Sequence, residues 1–155
     1  MTLRHRFDVI EEAAIDASSM IYMLKSGFLG LLGSTITLVS IPPVIAETGW
    51  NELPVTVNEG PEVPKEASND ERLLAFAVGR RLPLISEDRA LLTGAEEAGL
   101  DYYNSLMMLA LLRYRERLDD SWFREARGRL LGIARYGSEV IKRFDDHCEE
   151  LGIEI

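Results

Sequence analysis

The chain has few of the side chains that bind zinc or form disulfides. Its 155 residues include one cysteine, Cys148, and two histidines, His5 and His147. A single cysteine cannot form an intramolecular disulfide, and a lone thiol is typical of a reducing compartment, so we expect a cytoplasmic protein. The shortage of thiol and imidazole groups excludes the usual zinc sites, and no arrangement of the Ser-His-Asp kind is supported.

Long apolar runs are also absent. The basic opening MTLRHRF leads into acidic residues rather than an apolar segment, so we expect no secretory signal. Residues 27–46 are apolar enough to suggest a membrane span, but three glycines, Pro42-Pro43 and several hydroxyl side chains interrupt them. We expect a helix end, a buried strand and a new helix there, and no membrane association.

Positive charge is scarce overall and unevenly placed. The chain has 17 Lys and Arg against 26 Asp and Glu, a net charge of −9, whereas nucleic-acid binders usually carry a basic surface. However, nine of those 17 basic residues lie between Arg113 and Arg143, beside five acids. We predict that Arg113, Arg117, Arg124 and Arg127 contact a nucleic-acid backbone. The alternative is a solvated helix face with intrahelical ion pairs.

The pattern of apolar segments predicts an α/β protein. Short apolar strands are expected near residues 13–15, 35–41, 53–57, 82–86 and 100–103, with helices between them. Residues from 105 onward favour three further helices, over 105–118, 121–134 and 138–151. Strands that alternate with helices indicate a three-layer α/β/α domain with a mainly parallel, roughly five-stranded sheet.

Four carboxylates are placed where such a sheet binds ligands, outside the carboxyl ends of its strands. Asp16 follows the first strand, and Asp88 follows the fourth. Asp70 opens the helix before the fourth strand, and Glu47 lies in the helix after the second. Each has a structural alternative, because the aspartates could cap helices and Glu47 could be a solvated surface residue.

Three segments together resemble PIN domains. Residues 15–22, IDASSMIY, resemble the first strand and first aspartate of that family, and residues 43–47, PVIAE, resemble the segment with its second acid. Residues 69–91 resemble its unit of helix, turn, strand and acid, with one acid at each end. The resemblance covers roughly residues 12–104 of one domain spanning residues 1–155, and the helices from residue 105 onward look like an extension.

The resemblance implies a metal-dependent nuclease in which Asp16, Glu47, Asp70 and Asp88 hold one or two divalent metals. An all-oxygen site suits Mg²⁺ or Mn²⁺, which activate water and neutralise charge on a phosphate. Many family members have a further acid where this chain has Ala90. Neighbouring residues could support the site: Ser18, Ser86, Glu71 and Glu87.

The leading hypothesis is therefore an endoribonuclease that hydrolyses single-stranded RNA, as the toxin of a toxin–antitoxin pair. Its expected partners are RNA, an antitoxin and a second copy of the chain. The alternative is a non-catalytic PIN-like module that binds protein or RNA. A phosphoacceptor receiver domain is disfavoured, because Asp16 stands alone after its strand and no lysine lies between Lys65 and Lys142.

Overall fold

The computed structural model describes all 155 residues as five strands and nine helices. The strands are β1 (Glu12–Ile15), β2 (Thr37–Ser40), β3 (Thr56–Val57), β4 (Leu84–Ile85) and β5 (Tyr102–Tyr103). The helices are α1 (Leu3–Val9), α2 (Ala17–Ser26), α3 (Leu29–Thr35), α4 (Pro42–Thr48), α5 (Asn69–Arg80), α6 (Arg89–Glu97), α7 (Ser105–Tyr114), α8 (Asp120–Ala134) and α9 (Ser138–Glu150). None of these helices combines the length and the apolar character needed to cross a membrane.

All five strands are parallel, in the order β3-β2-β1-β4-β5. This confirms the predicted α/β class with a five-stranded parallel sheet. The chain moves outward from β1 to β3 and then crosses to the other side of β1 to form β4. The carboxyl ends of β1 and β4 therefore flank the point at which the direction of winding reverses, where open α/β sheets form their ligand crevice.

The predicted break at each of three glycines is correct only at the first. Gly27 ends α2 in the left-handed conformation, with φ of 84°. Gly30 and Gly33, in contrast, lie inside α3. A Cβ atom at Gly33 would lie 2.7 Å from the carbonyl oxygen of Pro54, so the missing side chain lets α3 pack against the chain before β3.

The N-terminal helix α1 was not predicted. Thr2 caps it through the backbone N–H of His5, and its residues Leu3 and Phe7 are buried. Four of the first eight residues have charged or imidazole side chains. The helical spacing of the apolar residues Leu3, Phe7 and Ile10 is therefore hard to recognise in the sequence.

One apolar core extends from Leu3 to Ile153. Every residue of α7 from 105 to 112 is buried, so this helix is surrounded by the rest of the chain. Helix α8 packs against α2 and α7, and α9 packs against α7. The three C-terminal helices thus share the core of the sheet and its helices, and α8 lies beside the helix that follows Asp16.

Candidate functional site

The site begins with Asp16, the first residue after β1. Its backbone N–H donates to the carbonyl of Ile85 over 3.0 Å, which continues the pairing of β1 with β4 by one residue. The side chain is buried, at 4% exposure. Its Oδ1 accepts from the backbone N–H of Ser19 over 2.8 Å and caps α2, while its Oδ2 accepts from the Ser86 hydroxyl over 2.5 Å. Burial raises the pKa of Asp16, and these hydrogen bonds oppose the rise.

Ser86 also fixes the second aspartate of this edge. The buried Ser86 oxygen accepts from the backbone N–H of Asp88 over 2.9 Å. Asp88 is exposed, and its Oδ1 caps α6 by accepting from the N–H of Leu91 over 2.8 Å. The Ser86 hydroxyl therefore fixes the position of the chain after β4 relative to the Asp16 carboxylate after β1.

Asp70 has no capping role. Ser68 caps α5, and Glu71 completes a capping box by accepting from the Ser68 backbone N–H. The carboxylate of Glu71 is thereby occupied, whereas the exposed Asp70 carboxylate accepts no hydrogen bond from the chain. This difference favours Asp70 over its neighbour as a site residue.

The charges around Asp70 show which carboxylates surround it. Partial burial raises the pKa of Asp70, and the negative charges of Asp88, Asp16 and Glu47 raise it further, in that order. The fold thus brings the four carboxylates predicted from the sequence into one neighbourhood.

Asn69 is a site residue that sequence reasoning missed. Its side-chain amide donates to a carboxylate oxygen of Glu47 and, over 3.4 Å, to the carbonyl of Pro43. These contacts join the start of α5 to α4 and restrict the exposed Glu47 side chain. The only sequence signal was a neutral amide directly before an acid at a helix start.

Glu87 has a different role from the four clustered acids. Its carboxylate accepts from the hydroxyl of Ser19 over 2.5 Å, from the hydroxyl of Ser105 over 2.9 Å, from the Ser105 backbone N–H, and from the hydroxyl of Tyr136. Burial and the adjacent Glu87 carboxylate raise the pKa of Tyr136 far above its usual value. Glu87 therefore faces α2, α7 and the loop between α8 and α9. The sequence predicted Glu87 as a supporting residue of the site, but its carboxylate oxygens accept from these internal donors instead.

Ser19 makes the contacts expected of Ser18. Ser18 is exposed and forms no side-chain hydrogen bond, because it lies on the outer side of the first turn of α2. One residue later, the Ser19 backbone holds Asp16 while its hydroxyl holds Glu87. Ser19 thus connects the cluster to the hydrogen-bond network around Glu87.

The donor atoms of the cluster are all carboxylate oxygens, which are the ligands that Mg²⁺ and Mn²⁺ prefer. No three Asp, Glu, His or Cys side chains are already arranged to hold a metal ion. Three members, Glu47, Asp70 and Asp88, are exposed, and exposed side chains change rotamer readily. The donor set therefore fits a divalent cation in chemistry, with Asp16 fixed by two hydrogen bonds, Asp88 and Glu47 each held by one contact, and Asp70 free to rotate.

Most of the arginines predicted to contact nucleic acid are engaged within the chain. Arg113 pairs with Asp120 over 2.8 Å, and Arg127 pairs with Asp145 over 3.3 Å. Arg117 donates to the Ser34 hydroxyl over 3.1 Å. Only Arg124, exposed on α8, forms neither an ion pair nor a side-chain hydrogen bond.

Comparisons with known proteins give only distant structural similarity. No family model matches the chain, and no curated protein matches it. Among solved structures, a PilT N-terminus (PIN) domain protein from the hyperthermophilic archaeon Sulfolobus solfataricus P2 aligns with a TM-score of 0.46 and 16% identity. The alignment covers 64% of this chain and 91% of that one.

Proposed function

We propose that this chain is a divalent-metal-dependent nuclease that hydrolyses phosphodiester bonds of single-stranded RNA. The observation that supports the proposal is that the charges of Asp88, Asp16 and Glu47 all act on Asp70, near the point where the winding of the sheet reverses. Helix capping accounts for Asp16 and Asp88, but it does not account for Asp70. An uncapped carboxylate among three others has unfavourable interactions that a bound cation would relieve.

In the proposed site these four carboxylates hold Mg²⁺ or Mn²⁺. When bound, the cation supplies an activated water and neutralises charge on the phosphate. Asp16 acts as the fixed ligand, because both its oxygens are held by Ser19 and Ser86. Asp70 would adjust to the cation by rotation, Asp88 would bind it through the oxygen that does not cap α6, and Asn69 limits the positions open to Glu47.

The charge of the cluster also sets a requirement on the substrate. Four carboxylates repel a phosphodiester unless a cation is present. The metal-free chain is therefore expected to be inactive, and it should bind RNA only through surfaces away from the cluster.

The proposal is tested with a labelled single-stranded RNA, incubated with the full chain in Mn²⁺, in Mg²⁺ and in EDTA. We expect cleavage with either metal and none with EDTA. A single-stranded DNA of the same sequence, run beside it, tests the choice of RNA. Absence of cleavage in both metals would reject the nuclease.

A second candidate is a non-catalytic PIN-like module that binds RNA or protein. Two observations favour it: Ala90 occupies the position of a further acid, and no three carboxylates are preassembled as metal ligands. The two candidates differ in one result. A binding module would retain RNA equally with and without metal, and it would leave the RNA intact.

That the chain acts as a toxin and that it forms a homodimer stay predictions, which rest on the resemblance to PIN domains. A neighbouring small gene for a DNA-binding protein would support an antitoxin partner. Light scattering of the purified chain would test the homodimer.

A further inference from the structure

A groove of about 660 Å³ lies beside the carboxylate cluster, between α6 and β5 on one side and α1 and α9 on the other. We call it the α6–α9 groove, and its lining includes Arg89, Tyr102, Asn104 and Arg143. Its volume is within the range of about 300–1,000 Å³ that is typical of ligand sites. None of its residues belongs to the four clustered carboxylates.

The walls of the groove carry unpaired positive charge. Arg89 on α6 and Arg143 on α9 are both exposed, and neither forms an ion pair or a side-chain hydrogen bond. A third arginine of the lining, Arg6, pairs with Asp101 over 3.7 Å, and its buried Nε has no hydrogen-bond partner. The guanidinium groups of Arg89 and Arg143 therefore leave all their N–H donors free at one groove, where the oxygens of an anion could accept from them.

The lining also contains three glutamates, Glu87, Glu96 and Glu139, which equal its arginines in number. Glu87 is occupied by its four internal donors, and Glu96 accepts from the Tyr102 hydroxyl over 3.2 Å. Glu139 alone has no partner. Guanidinium groups therefore supply the free hydrogen-bond donors of the groove, and phosphate oxygens are the acceptors that match them.

An aromatic side chain is exposed beside the arginines. Tyr102 lies on the edge strand β5 and is 37% exposed. Arg143 and Arg6 are near enough to its hydroxyl to oppose the rise in its pKa that burial and Glu96 produce. Positive charge next to an exposed aromatic face is the combination that binds successive nucleotides of a single strand.

The groove begins one residue from the carboxylate cluster. Arg89 directly follows Asp88 and Glu87 directly precedes it, and both line the groove. Asn104 follows β5, so the groove opens at the same edge of the sheet as the cluster. A strand whose phosphodiester lies at the cluster can therefore extend into the groove.

We propose that the α6–α9 groove binds single-stranded RNA on one side of the phosphodiester to be cleaved. Arg89 and Arg143 bind its phosphates, and the Tyr102 ring stacks on a base. The identification of RNA as the bound polymer rests on the proposed function. The groove differs from the surface predicted from the sequence, which placed the backbone contacts on α7 and α8.

The experiment measures binding without chemistry. A fluorescent single-stranded RNA is titrated with the full chain in EDTA, and anisotropy gives Kd at several salt concentrations. The Arg89→Ala/Arg143→Ala double variant should bind roughly tenfold more weakly, and its salt slope should fall by about 1.4, since each phosphate contact on a single strand contributes about 0.7. Lys142→Ala, an exposed charge on α9 outside the groove, is the matched control and should keep wild-type affinity.

Variants at Tyr102 test the stacking contact. Tyr102→Phe keeps the ring and should retain affinity, whereas Tyr102→Ala should weaken binding severalfold without changing the salt slope. Melting curves establish that each variant is folded. A peptide of polyglutamate serves as an anion without bases and should not compete for the groove.

Three results would contradict the proposal that the groove binds RNA. They are unchanged RNA affinity in the double variant, full competition by polyglutamate, and weaker binding by Arg124→Ala in place of the groove variants. The last result would place the RNA-binding surface on α8. If the groove variants bind RNA more weakly but the wild-type chain never cleaves it, the groove is supported as an RNA-binding site and the nuclease proposal is rejected. The two proposals therefore fail separately.

Discussion

The hydroxyl of Ser86 donates to Oδ2 of Asp16 over 2.5 Å and so joins the first residue after β1 to the first residue after β4. The two strands are neighbours in the sheet although about 70 residues separate these side chains in the sequence. The contact compensates part of the cost of burying a carboxylate, and it leaves Asp16 in one fixed orientation.

Replacing Ser86 with alanine should destabilise the chain by about 1–3 kcal/mol, because the buried Asp16 oxygen loses its donor and the Asp88 N–H loses its acceptor. Urea denaturation measures the free energy of unfolding. Ser18→Ala, which removes a hydroxyl that has no partner, should change it by less than about 0.5 kcal/mol. Equal stability of the two variants would contradict the role assigned to Ser86.

Glu87 should matter for stability more than an exposed acid does. Glu87→Ala leaves the hydroxyls of Ser19 and Tyr136 and the backbone N–H of Ser105 without their acceptor, and should cost at least about 2 kcal/mol. Glu139→Ala, an exposed site without partners, is the matched control. Urea denaturation measures the free energy of unfolding of both variants. A loss of similar size in Glu139→Ala would contradict the role assigned to Glu87 as an acceptor for internal donors.

Metal-free stability should depend on pH through Asp70. Its pKa in the folded chain lies above the ordinary value of 3.8, so the protonated form favours folding. This contribution is present at low pH and is lost as pH rises through the raised pKa. In EDTA, the free energy of unfolding of wild type relative to Asp70→Asn should therefore decrease as pH rises from about 4 to neutrality.

The control for that measurement is Asp146→Asn, because Asp146 is exposed on α9 and has no side-chain partner. A decrease of the same size for Asp146→Asn would trace the effect to the overall charge of the chain rather than to the carboxylate cluster. A flat difference for Asp70→Asn would mean that the neighbouring carboxylates do not affect Asp70.

Binding of a cation should raise the melting temperature. Mn²⁺ at 100 times its Kd stabilises the native state by about 2.7 kcal/mol, if the unfolded chain does not bind it. The shift between Mn²⁺ and EDTA should be large in wild type and small in Asp70→Asn and Glu47→Gln. Identical shifts in wild type and both variants would exclude these carboxylates as ligands.

Local patterns were enough to predict the class of the fold and to single out two of the four candidate acids. Parallel strands read from apolar runs place their carboxyl ends together, and this rule alone selects Asp16 and Asp88. Helix capping explains why Asp70 rather than Glu71 is free, because Ser68 and Glu71 form a capping box whose spacing is visible in the sequence.

The contacts that hold the site together could not be predicted in this way. Glu87 meets Tyr136 across 49 residues, and Asn69 meets Glu47 across 22, and neither separation follows a helical or strand period. The α6–α9 groove could not be predicted for the same reason, since Arg89 and Arg143 line it from two helices that are distant in the sequence. Such pairs depend on tertiary packing, which leaves no regular spacing in the sequence.

The most direct test of the nuclease is cleavage of labelled single-stranded RNA in Mn²⁺ by wild type, Asp16→Asn, Asp88→Asn and the control Asp146→Asn, with a melting curve for each. Asparagine matches aspartate in shape and is itself a good helix cap, so the folds should be as stable as wild type or more stable. Wild type and the control should cut, and the two site variants should lose at least about a hundredfold in rate. A wild-type chain that does not cut, or site variants that cut as fast as wild type, would contradict the proposed site.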